Sequence, residues 1–352
     1  MSLVVASPAD PLGVRSTTLR VLQQARSVRI DDDRLAEVAA QLIATEPPAW
    51  DDTLHYRDPD PGEVGFLRTA MWILVLDTLN FCFWGQNPAD PDDRWRVTFR
   101  GITHDGYDAL AAALSRAVAE GHPLWDASWL ATLPAATLRD ILRPDAGSAE
   151  IPLAEARLAH LHELGAALQR VERDHPGQDP LQTLLDRADG SGIAFAREII
   201  ARMPSFNDIA WWDDTATGER HEVRFFKRAQ ILVADLAGAL ADRDAELFSD
   251  LPLLTAFADY KVPQVLRQLG VLVYADDLVG RIMRRERIPV NDCVELEIRA
   301  ATIQACERIR AVASHENATP LTASQIDWML WQAGQSLPKG SEPYHRTVTI
   351  FY

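Results

Sequence analysis

Apolar residues recur at helical spacing along most of this 352-residue chain. Between residues 106 and 121 they follow at i, i+3, i+4, i+7 and i+8, which places them on one face of a helix: Leu110, Ala113, Leu114, Ala117 and Val118. The same spacing predicts helices over 33–44, 155–174, 228–240, 262–269, 294–312 and 324–333. The chain is therefore expected to adopt a mainly α fold.

Three short segments have the composition of strands: 95–100 (WRVTFR), 222–226 (EVRFF) and 347–352 (TVTIFY). They allow at most a small accessory β element. Clusters of turn residues such as 58–62 (DPDPG) are too short to be flexible linkers, so we expect residues 1–352 to form one unit. At this length we expect two packed helical lobes, 1–190 and 191–352.

The charge balance limits the kinds of partner. The chain has 35 Lys and Arg residues against 51 Asp and Glu residues, a formal net charge of −16. Such a surface repels phosphate backbones, so we expect no polymeric nucleic acid as a partner. No uninterrupted apolar stretch reaches about 18 residues, so we expect no membrane association either.

The three cysteines, Cys82, Cys293 and Cys306, are too few and too scattered for a disulfide framework or a zinc site. The first apolar run is short and broken by Pro8 and Pro11, which is not typical of a signal peptide. We therefore expect a protein of the cytoplasm. The motifs of nucleotide-binding loops, serine hydrolases and zinc proteases are missing, so we expect no cofactor and no metal.

Lysine is rare, since it occurs at Lys227, Lys261 and Lys339 and every other basic residue is arginine. For any single lysine taken alone, coding bias toward arginine is the favoured explanation, and a functional role needs a motif around the lysine. Lys227 nevertheless opens a largely apolar predicted helix that also carries Asp235, about 80° further round the helix on the same broad face. A buried carboxylate needs a partner, so Asp235 is expected to form an internal salt bridge or to serve a site.

Asp259 directly precedes another predicted helix, which has Pro263 in its first turn. Two interpretations of Asp259 stay open at this point. As a helix cap it would contribute about 1 kcal/mol. As a carboxylate held rigidly between a loop and a helix, it could stabilise a cationic transition state or activate water.

Two other segments combine residue types that occur in binding sites. Residues 77–84 (DTLNFCFW) place three aromatic residues and an asparagine close together, which suits either core packing or a wall against which a flat ring stacks. Opposite charges also recur along the helix predicted over 294–312, and we interpret them as a solvated face of ion pairs: Glu295, Glu297, Arg299, Glu307 and Arg308.

Five segments, taken together, resemble a known family: LNFCFW, FFKRAQILVADL, FADYKVPQVLRQLGVLVYADDL, VELEIRAATIQACERIR and PYHRTVTIFY. They lie in this order between residues 79 and 352 and so extend over most of the chain. The family they resemble is the queuosine salvage family, the queuosine 5′-phosphate N-glycosidases. The region before residue 79 resembles it less clearly.

The resemblance implies a mainly helical fold akin to the helix-hairpin-helix DNA glycosylases. It also implies hydrolysis of the N-glycosidic bond of queuosine 5′-monophosphate, which releases queuine and ribose 5-phosphate for salvage toward tRNA modification. The lysine of the KRAQ motif and the aspartate of the FADY motif line the active site in the family, and they correspond to Lys227 and Asp259. Lys261 stands where the family also accepts arginine, so we expect it to be replaceable.

Cleavage of a glycosidic bond passes through an oxocarbenium-like ribose. We therefore expect Asp259 to stabilise the positive charge at C1′ and to orient or deprotonate water, and a direct glycosyl-enzyme intermediate stays open. Lys227 is expected to lie against Asp259 or toward the ribose phosphate.

The remaining candidates are expected to bind substrate. Asp235 is our candidate for the donor edge of the base, and four aromatic residues are candidates for stacking on it: Phe81, Trp84, Phe206 and Tyr260. His345 and Arg346 are candidate phosphate ligands.

Two alternatives remain. The chain could hydrolyse another purine-like nucleoside or nucleotide with the same carboxylate, or it could be a non-catalytic helical protein that binds a base. Within the glycosidase interpretation, the charge of −16 favours a free small-molecule nucleotide over a duplex, which would need a basic track on the protein.

Overall fold

A computed structural model describes residues 9–50, 53–85, 87, 93–214, 217–244, 246–316, 321–338 and 341–352. These residues form fourteen α-helices, and the predicted mainly α fold is confirmed. The helices are α1 (Val14–Gln24), α2 (Asp32–Ile43), α3 (Glu63–Thr78), α4 (Gly106–Ala119), α5 (Ala127–Ala131), α6 (Ala135–Ile141), α7 (Ala154–Asp174), α8 (Pro180–Ala188), α9 (Gly192–Arg202), α10 (Lys227–Ala239), α11 (Lys261–Gln268), α12 (Asp276–Met283), α13 (Cys293–Glu316) and α14 (Ala323–Gln335).

Local sequence explains where several of these helices begin. The side chain of Asp31 accepts a hydrogen bond from the backbone N–H of Arg34 and so caps α2. Thr322 and Gln325 form a reciprocal capping box at the start of α14. All seven helices predicted from the spacing are present, with ends that differ from the prediction by a few residues.

The largest helix that the spacing does not predict is α3. Nearly every residue from Leu67 to Thr78 is buried, so its apolar side chains point in all directions around the helix axis. A helix that is apolar all round has no polar face, and its sequence therefore carries no helical period. This helix forms the centre of the core.

The strands of the described residues pair two by two and antiparallel: β1 (Val28–Ile30) with β6 (Leu272–Tyr274), β2 (Arg96–Phe99) with β3 (Ile102–Asp105), and β4 (Ile209–Asp213) with β5 (Arg220–Arg224). They are the predicted small accessory β element. The segment 95–100 does contain a strand, whereas the predicted strand over 222–226 ends at Arg224.

The prediction of a strand over 347–352 is wrong. Buried and half-buried side chains alternate along this tail. The threonines Thr347 and Thr349 are the buried residues, whereas Val348 and Ile350 are only half-buried. No neighbouring strand pairs with these residues; the one ladder contact nearby joins Arg346 to Arg287. Alternation reports which side chains face inward, but a strand also requires a backbone partner.

The buried apolar side chains of the described residues fall mainly into two clusters. The large cluster is built on α3, α4, α7, α9 and α10 and includes Trp72, Leu110, Leu164, Phe195 and Leu232. The small cluster is built on α2, α11, α12 and α14 and includes Leu35, Val38, Leu266, Leu278 and Leu330. Helix α13 contributes residues to both clusters.

These clusters divide the chain differently from the predicted lobes. Val28 and Leu35 belong with the C-terminal helices of the small cluster, whereas Phe195 and Leu254 belong with the N-terminal helices of the large cluster. The lobes 1–190 and 191–352 stay a prediction, as does the likeness to helix-hairpin-helix DNA glycosylases. None of the described helices combines the length and the apolar character that a bilayer span requires.

The prediction of a solvated ion-pair face on α13 is wrong for four of its five residues. Glu295, Glu297, Arg299 and Glu307 are all buried, and Glu295 has no exposed surface at all. Arg308 alone fits the prediction, because it pairs with the exposed Asp32 at 2.7 Å. Spacing along a helix reveals charge pairs, but it cannot show that other parts of the chain cover them.

Arg299 and its partners form a closed network of buried charges. The Arg299 guanidinium donates two hydrogen bonds to Asp208, at 3.1 and 2.6 Å, and lies between the rings of Phe225 and Tyr352. The Tyr352 hydroxyl donates to Glu295 at 2.8 Å. We call Asp208, Glu295, Arg299 and Tyr352 the closed network, since charges and donors inside it satisfy one another.

Candidate active site

A cavity of about 740 Å³ lies between helices of both apolar clusters. Its wall is formed by residues of α4, α10 and α14, by the segment that leads into α11, and by loop and tail residues. Three carboxylates and one lysine dominate its buried part: Asp235, Asp259, Asp327 and Lys227. A volume of this size is typical of a small-molecule site.

Lys227 is the first residue of α10 and is 5% exposed. Arg228 next to it donates to the backbone carbonyls of Thr78 and Ser205, which anchors the start of the helix. The Lys227 Nζ has no hydrogen bond and no ion-pair partner in the described part of the chain. Burial lowers the pKa of Lys227, while the charge of Asp259 acts in the opposite direction. The site therefore contains an ammonium group that is buried but unpaired.

Asp259 uses its two carboxylate oxygens differently. Oδ1 accepts hydrogen bonds from the backbone N–H groups of Lys261 at 2.8 Å and Val262 at 2.9 Å, in the first turn of α11. Oδ2 has no hydrogen-bond partner among the described residues. Burial raises the pKa of Asp259, and Lys227 and the two N–H groups oppose this shift. The interpretation of Asp259 as a helix cap is confirmed by these two hydrogen bonds. The catalytic interpretation stays a prediction, and the second oxygen is available for it.

Asp327 on α14 is a site residue that the sequence reasoning missed. It is 5% exposed and lines the cavity, and its Oδ1 accepts a hydrogen bond from the Phe257 N–H at 2.8 Å. Burial raises the pKa of Asp327 well above its usual range, and the nearby Asp259 raises it further. The signal was available, since Asp327 is the one acidic residue in the mainly apolar sequence of α14.

Asp235 lies two turns after Lys227 on α10 and also reaches the cavity. It accepts hydrogen bonds from Trp50 Nε1 at 3.2 Å and from the Tyr107 hydroxyl at 3.3 Å. Burial raises its pKa to about 6. No cation lies within ion-pair distance of Asp235 in the described residues, so the structure does not support the internal salt bridge that was one alternative.

Asp77 is a further buried carboxylate, close enough to Asp235 for their charges to interact. Asp77 has no exposed surface, and its Oδ1 accepts a hydrogen bond from Asn80 Nδ2 at 3.1 Å, while Oδ2 has no partner among the described residues. Burial and the charge of Asp235 raise the pKa of Asp77 well above its usual range. Asn80 lines the cavity, so this carboxyl group holds a wall residue in place.

Aromatic rings form much of the cavity wall. Trp328 and Trp331 on α14 are stacked, with ring centroids 5.4 Å apart and an interplanar angle of 8°. Tyr107 meets Trp331 edge to face at 5.9 Å. The predicted site residue Tyr260 also lines the cavity and lies against Tyr344, with ring centroids 4.7 Å apart. Flat rings of this kind can hold a nucleobase by stacking.

Three of the four aromatic residues predicted to stack on the base lie outside the cavity wall. Phe81 is fully buried between the guanidinium groups of Arg157 and Arg228. Phe206 also lies under Arg228, with the cation 4.5 Å from the ring centroid. Trp84 is 2% exposed and packs near Arg346. Their rings already have cationic partners in the core, which the sequence alone does not show.

The two predicted phosphate ligands also lie outside the wall. His345 is buried, its Nε2 is 3.4 Å from the Tyr352 hydroxyl, and burial lowers its pKa to about 3. It is therefore neutral near pH 7 and offers no positive charge to a phosphate. Arg346 is 6% exposed, with its guanidinium 5.5 Å from the ring centroid of Trp84.

The other two lysines differ in location. Lys261 lines the cavity, together with Arg94. Lys339, predicted to have no functional role, lies outside the described residues. In the part of the chain that the structure describes, one group of side chains could approach a metal ion: Glu120, His122 and Asp140. It lies outside the cavity wall, and Arg143 already pairs with two of these residues.

The comparison with sequence families identifies the family of the chain. The family model described as "Queuosine salvage protein" matches residues 61–352, which includes every candidate catalytic residue. The chain belongs to this family. The resemblance read from the sequence motifs is thereby confirmed.

Relatives match along nearly the whole chain. A protein of Sphaerobacter thermophilus is 47% identical over 351 residues, which is 99% of this chain and 100% of that protein. A Mus musculus protein is 31% identical over 97% of this chain and 99% of its own length. A Dictyostelium discoideum protein is 32% identical over 96% and 98%. Each of the three is named queuosine 5′-phosphate N-glycosylase/hydrolase.

Proposed function

We propose that this protein hydrolyses the N-glycosidic bond of queuosine 5′-phosphate and releases queuine and ribose 5-phosphate. Membership of the queuosine salvage family and the names of full-length relatives support this activity. The observation that carries the proposal is the state of Asp259, whose Oδ1 is fixed by two backbone N–H groups while Oδ2 is left free in a cavity beside an unpaired lysine.

The reaction breaks the bond between C1′ and the glycosidic nitrogen. Water supplies a hydroxyl group to C1′ and a proton to the departing base, so atoms and charge balance. Positive charge develops on C1′ and the ring oxygen before the new bond is complete. The free oxygen of Asp259 is the negative group that stabilises this charge, and its rigid attachment to α11 means that no reorganisation is needed during the reaction.

Lys227 acts on the protonation state of Asp259. A nearby ammonium group favours the ionised carboxylate, which burial alone would disfavour. The two hydrogen bonds from Lys261 and Val262 act in the same direction. Lys227 therefore keeps Asp259 charged in a low-dielectric site, where its attraction for a cationic sugar is strongest.

The base is recognised by carboxylates and rings. A 7-deazaguanine presents N–H donors along the edge of its six-membered ring, and carboxylate oxygens are suitable acceptors for them. Besides Asp259, the buried wall carboxylates that can accept these hydrogen bonds are Asp235 and Asp327. Asp327 has the less occupied oxygens, since no described residue donates to its Oδ2. Trp328 and Trp331 offer a surface for the face of the base.

The test is a comparison of three substrates. The protein is incubated with queuosine 5′-phosphate, with queuosine nucleoside and with guanosine 5′-phosphate, and the free base is measured by liquid chromatography. We expect queuine to be released fastest from queuosine 5′-phosphate. Base release from guanosine 5′-phosphate alone would instead identify a general purine nucleotide hydrolase and overturn the proposal.

A further inference from the structure

The segment 45–50 follows α2 and contains neither helix nor strand. Its residues Pro47, Pro48 and Trp50 line the cavity, although Pro48 is exposed and the other two are only half-buried. The segment therefore lies at the boundary between the cavity and the solvent. All of it precedes residue 61, where the match to the family model begins, and none of the five segments that resemble the family includes it.

Trp50 packs directly against the backbone of α10. A Cβ atom added at Gly238 would come within 2.5 Å of Trp50 Cγ, so the indole occupies the space that a side chain at position 238 would fill. A second contact holds the same segment, because Trp328 Nε1 donates a hydrogen bond to the Pro48 carbonyl at 3.1 Å. The ring of a loop residue is thus fixed against the helix that carries Lys227 and Asp235.

Two donors reach the two oxygens of Asp235. Trp50 Nε1 donates to Oδ1 at 3.2 Å, and the Tyr107 hydroxyl donates to Oδ2 at 3.3 Å. His55 connects the two donors, since its ring stacks on Trp50 with centroids 4.6 Å apart and its Nε2 is 2.9 Å from the Tyr107 hydroxyl. A donor on each oxygen fixes the position of a carboxylate and also the rotation of its plane.

The arrangement leaves acceptor sites on both oxygens. An ionised carboxylate has about four acceptor sites, and Trp50 and Tyr107 use one on each oxygen of Asp235. The remaining sites suit a ligand with two adjacent N–H donors, such as the edge of the six-membered ring of a 7-deazaguanine. Two parallel hydrogen bonds of this kind depend on the plane of the carboxylate, because both bonds weaken when the plane turns.

The indole N–H also acts on the charge of Asp235. Burial raises the pKa of Asp235 to about 6, and the hydrogen bond from Trp50 is the strongest of the effects that oppose this rise. Loss of the N–H would therefore raise the pKa further and leave less of the ionised form near pH 7. In the described part of the chain, four other titratable groups act on Asp235 or on its donors: Lys227 on α10, Tyr107 on α4, Asp77 on α3 and His55 beside Tyr107.

We propose that Trp50 is a positioning residue for Asp235, and that the segment 45–50 takes part in recognition of the base in this way. This inference rests on the proposed function, in which Asp235 accepts hydrogen bonds from the base. It assigns a role to a part of the chain that precedes the family motifs. Trp50 acts through Asp235 and needs no contact with the reacting atoms.

The first variant is Trp50→Phe, which keeps an aromatic ring and removes the N–H donor. We expect kcat/KM on queuosine 5′-phosphate to fall by about 3- to 10-fold at neutral pH. The acid limb that Asp235 causes near pH 6 should move to higher pH, because the ionised carboxylate loses a hydrogen bond. Trp211→Phe, at a tryptophan of β4 that is 49% exposed, is the matched control. A purely structural role of Trp50 would not move the acid limb.

Gly238→Ala tests the same contact from α10. The added methyl group forces the indole away from the helix, whereas alanine favours a helix interior by about 1 kcal/mol relative to glycine. We expect the acid limb to shift as in Trp50→Phe, with α10 intact. Gly280→Ala on α12 is the control, because the added Cβ would meet only the flexible end of Arg284. An acid limb that stays in place in both Trp50→Phe and Gly238→Ala would show the inference to be wrong.

A double-mutant cycle tests whether Trp50 acts through Asp235. Asp235→Ala removes the acceptor, so Trp50→Phe should cause no further loss of kcat/KM in that background. An equal loss in both backgrounds would mean that Trp50 acts independently of Asp235, and the inference would then fail.

A binding measurement separates this inference from the proposed function. The probe is free queuine, titrated by calorimetry into the wild type and Trp50→Phe on both sides of pH 6, without turnover. Weaker binding in the variant, with its pH midpoint moved upward, supports the positioning role even if queuosine 5′-phosphate is not hydrolysed. Identical titration curves for the two proteins would rule out the positioning role, whatever the activity assay shows.

Discussion

Two groups of buried charges in this molecule differ in how they are partnered. In the closed network, Arg299 has hydrogen bonds to Asp208 and aromatic rings on either side, so its charge is satisfied within the fold. Around the cavity, the ammonium group of Lys227 and one oxygen of Asp259 have no partners among the described residues. The two groups touch, since the backbone N–H of Lys227 donates to Asp208 at 3.3 Å.

The difference separates structure from function. Removing one partner of a fully paired buried charge is costly, and such a pair contributes to a unique fold. A buried charge without partners costs stability and is retained where a ligand completes it. Burial of a charged side chain alone therefore does not identify a site residue. A charged side chain that is buried, lines a cavity and has no partner within the protein does. The comparison can be tested by removing charges from each group in turn.

The largest expected effect is that of Asp259→Asn. We expect kcat on queuosine 5′-phosphate to fall by about 10³-fold or more, because a neutral amide cannot stabilise a cationic sugar. The fold should be retained, because asparagine caps a helix about as well as aspartate does, with a change of at most about 1 kcal/mol. Turnover and thermal unfolding measure the two effects. Asp277→Asn, an exposed change on α12, is the matched control. Full turnover in Asp259→Asn would show that a group other than Asp259 stabilises the cationic sugar, whereas a non-catalytic base-binding protein would show no turnover even in the wild type.

Next comes Arg299→Gln in the closed network. Removing one partner of a buried ion pair leaves Asp208 uncompensated, so we expect a loss of about 3–5 kcal/mol in the free energy of unfolding. Urea titration measures it. Arg308→Gln on the same helix breaks only the surface pair with Asp32 and should change stability by at most about 1 kcal/mol. Equal losses in the free energy of unfolding for the two variants would contradict the distinction between the closed network and a surface ion pair.

Lys227→Met should behave in the opposite way to Arg299→Gln. We expect kcat to fall by about 100-fold, because Asp259 then loses the charge that keeps it ionised. The free energy of unfolding should stay the same or rise, since an unpaired buried ammonium group is removed. Stopped assays and urea titration measure both quantities. A large loss of stability with normal turnover would place Lys227 with the closed network instead.

The smallest effects are expected for Asp235→Asn. Burial raises the pKa of Asp235 from its ordinary value of 3.8 to about 6, so the folded state favours the protonated form. The wild type therefore loses stability as the pH rises through this window. The variant avoids that loss and should be more stable above pH 6 by up to about 3 kcal/mol. Thermal unfolding at several pH values measures this difference between the variant and the wild type. Equal stability of the two proteins above pH 6 would mean that folding does not raise the pKa of Asp235.

The same substitution should also change the pH dependence of catalysis. The ionised form of Asp235 offers both oxygens to the N–H donors of the base and binds them more strongly than the protonated form does. We therefore expect an acid limb near pH 6 in the wild-type profile of kcat/KM that the variant lacks. At neutral pH the variant should lose about 10-fold in kcat/KM. An identical acid limb in both proteins would assign it to another group.

Much of the fold follows from the sequence because amphipathic helices carry their own period. The helices α2 and α7 lie on the surface of a cluster, and their apolar residues show which face is covered. Helix α3 is covered on all faces and gives no such signal. Along the 347–352 tail, the burial of side chains alternates as it would in a strand, but no strand of the described residues pairs with this tail. Both errors have one cause, since periodicity reports local burial and contains no information about tertiary neighbours.

The site was partly predictable for the same reason. Lys227, Asp235 and Asp259 stand out as charges in apolar surroundings or at a helix start, and the segments that resemble the family contain all three. Phe81, Trp84 and Phe206 are residue types that can stack on a base. In the structure, the guanidinium groups of arginines from other segments lie over their rings instead. Asp327 and Arg94 reach the cavity from elements far apart in sequence. Which aromatic residues face a cavity depends on such long-range contacts.

The stacked tryptophans of α14 have a consequence for how this protein can be studied. Trp328 and Trp331 are nearly parallel and both line the cavity. Indole rings this close couple their strong electronic transitions, which contributes a pair of bands to the far-ultraviolet circular dichroism. A third flat ring placed beside them changes these bands and the fluorescence of the two indoles. The cavity thus contains its own optical reporter, and ligand binding can be followed in the unlabelled protein without any turnover.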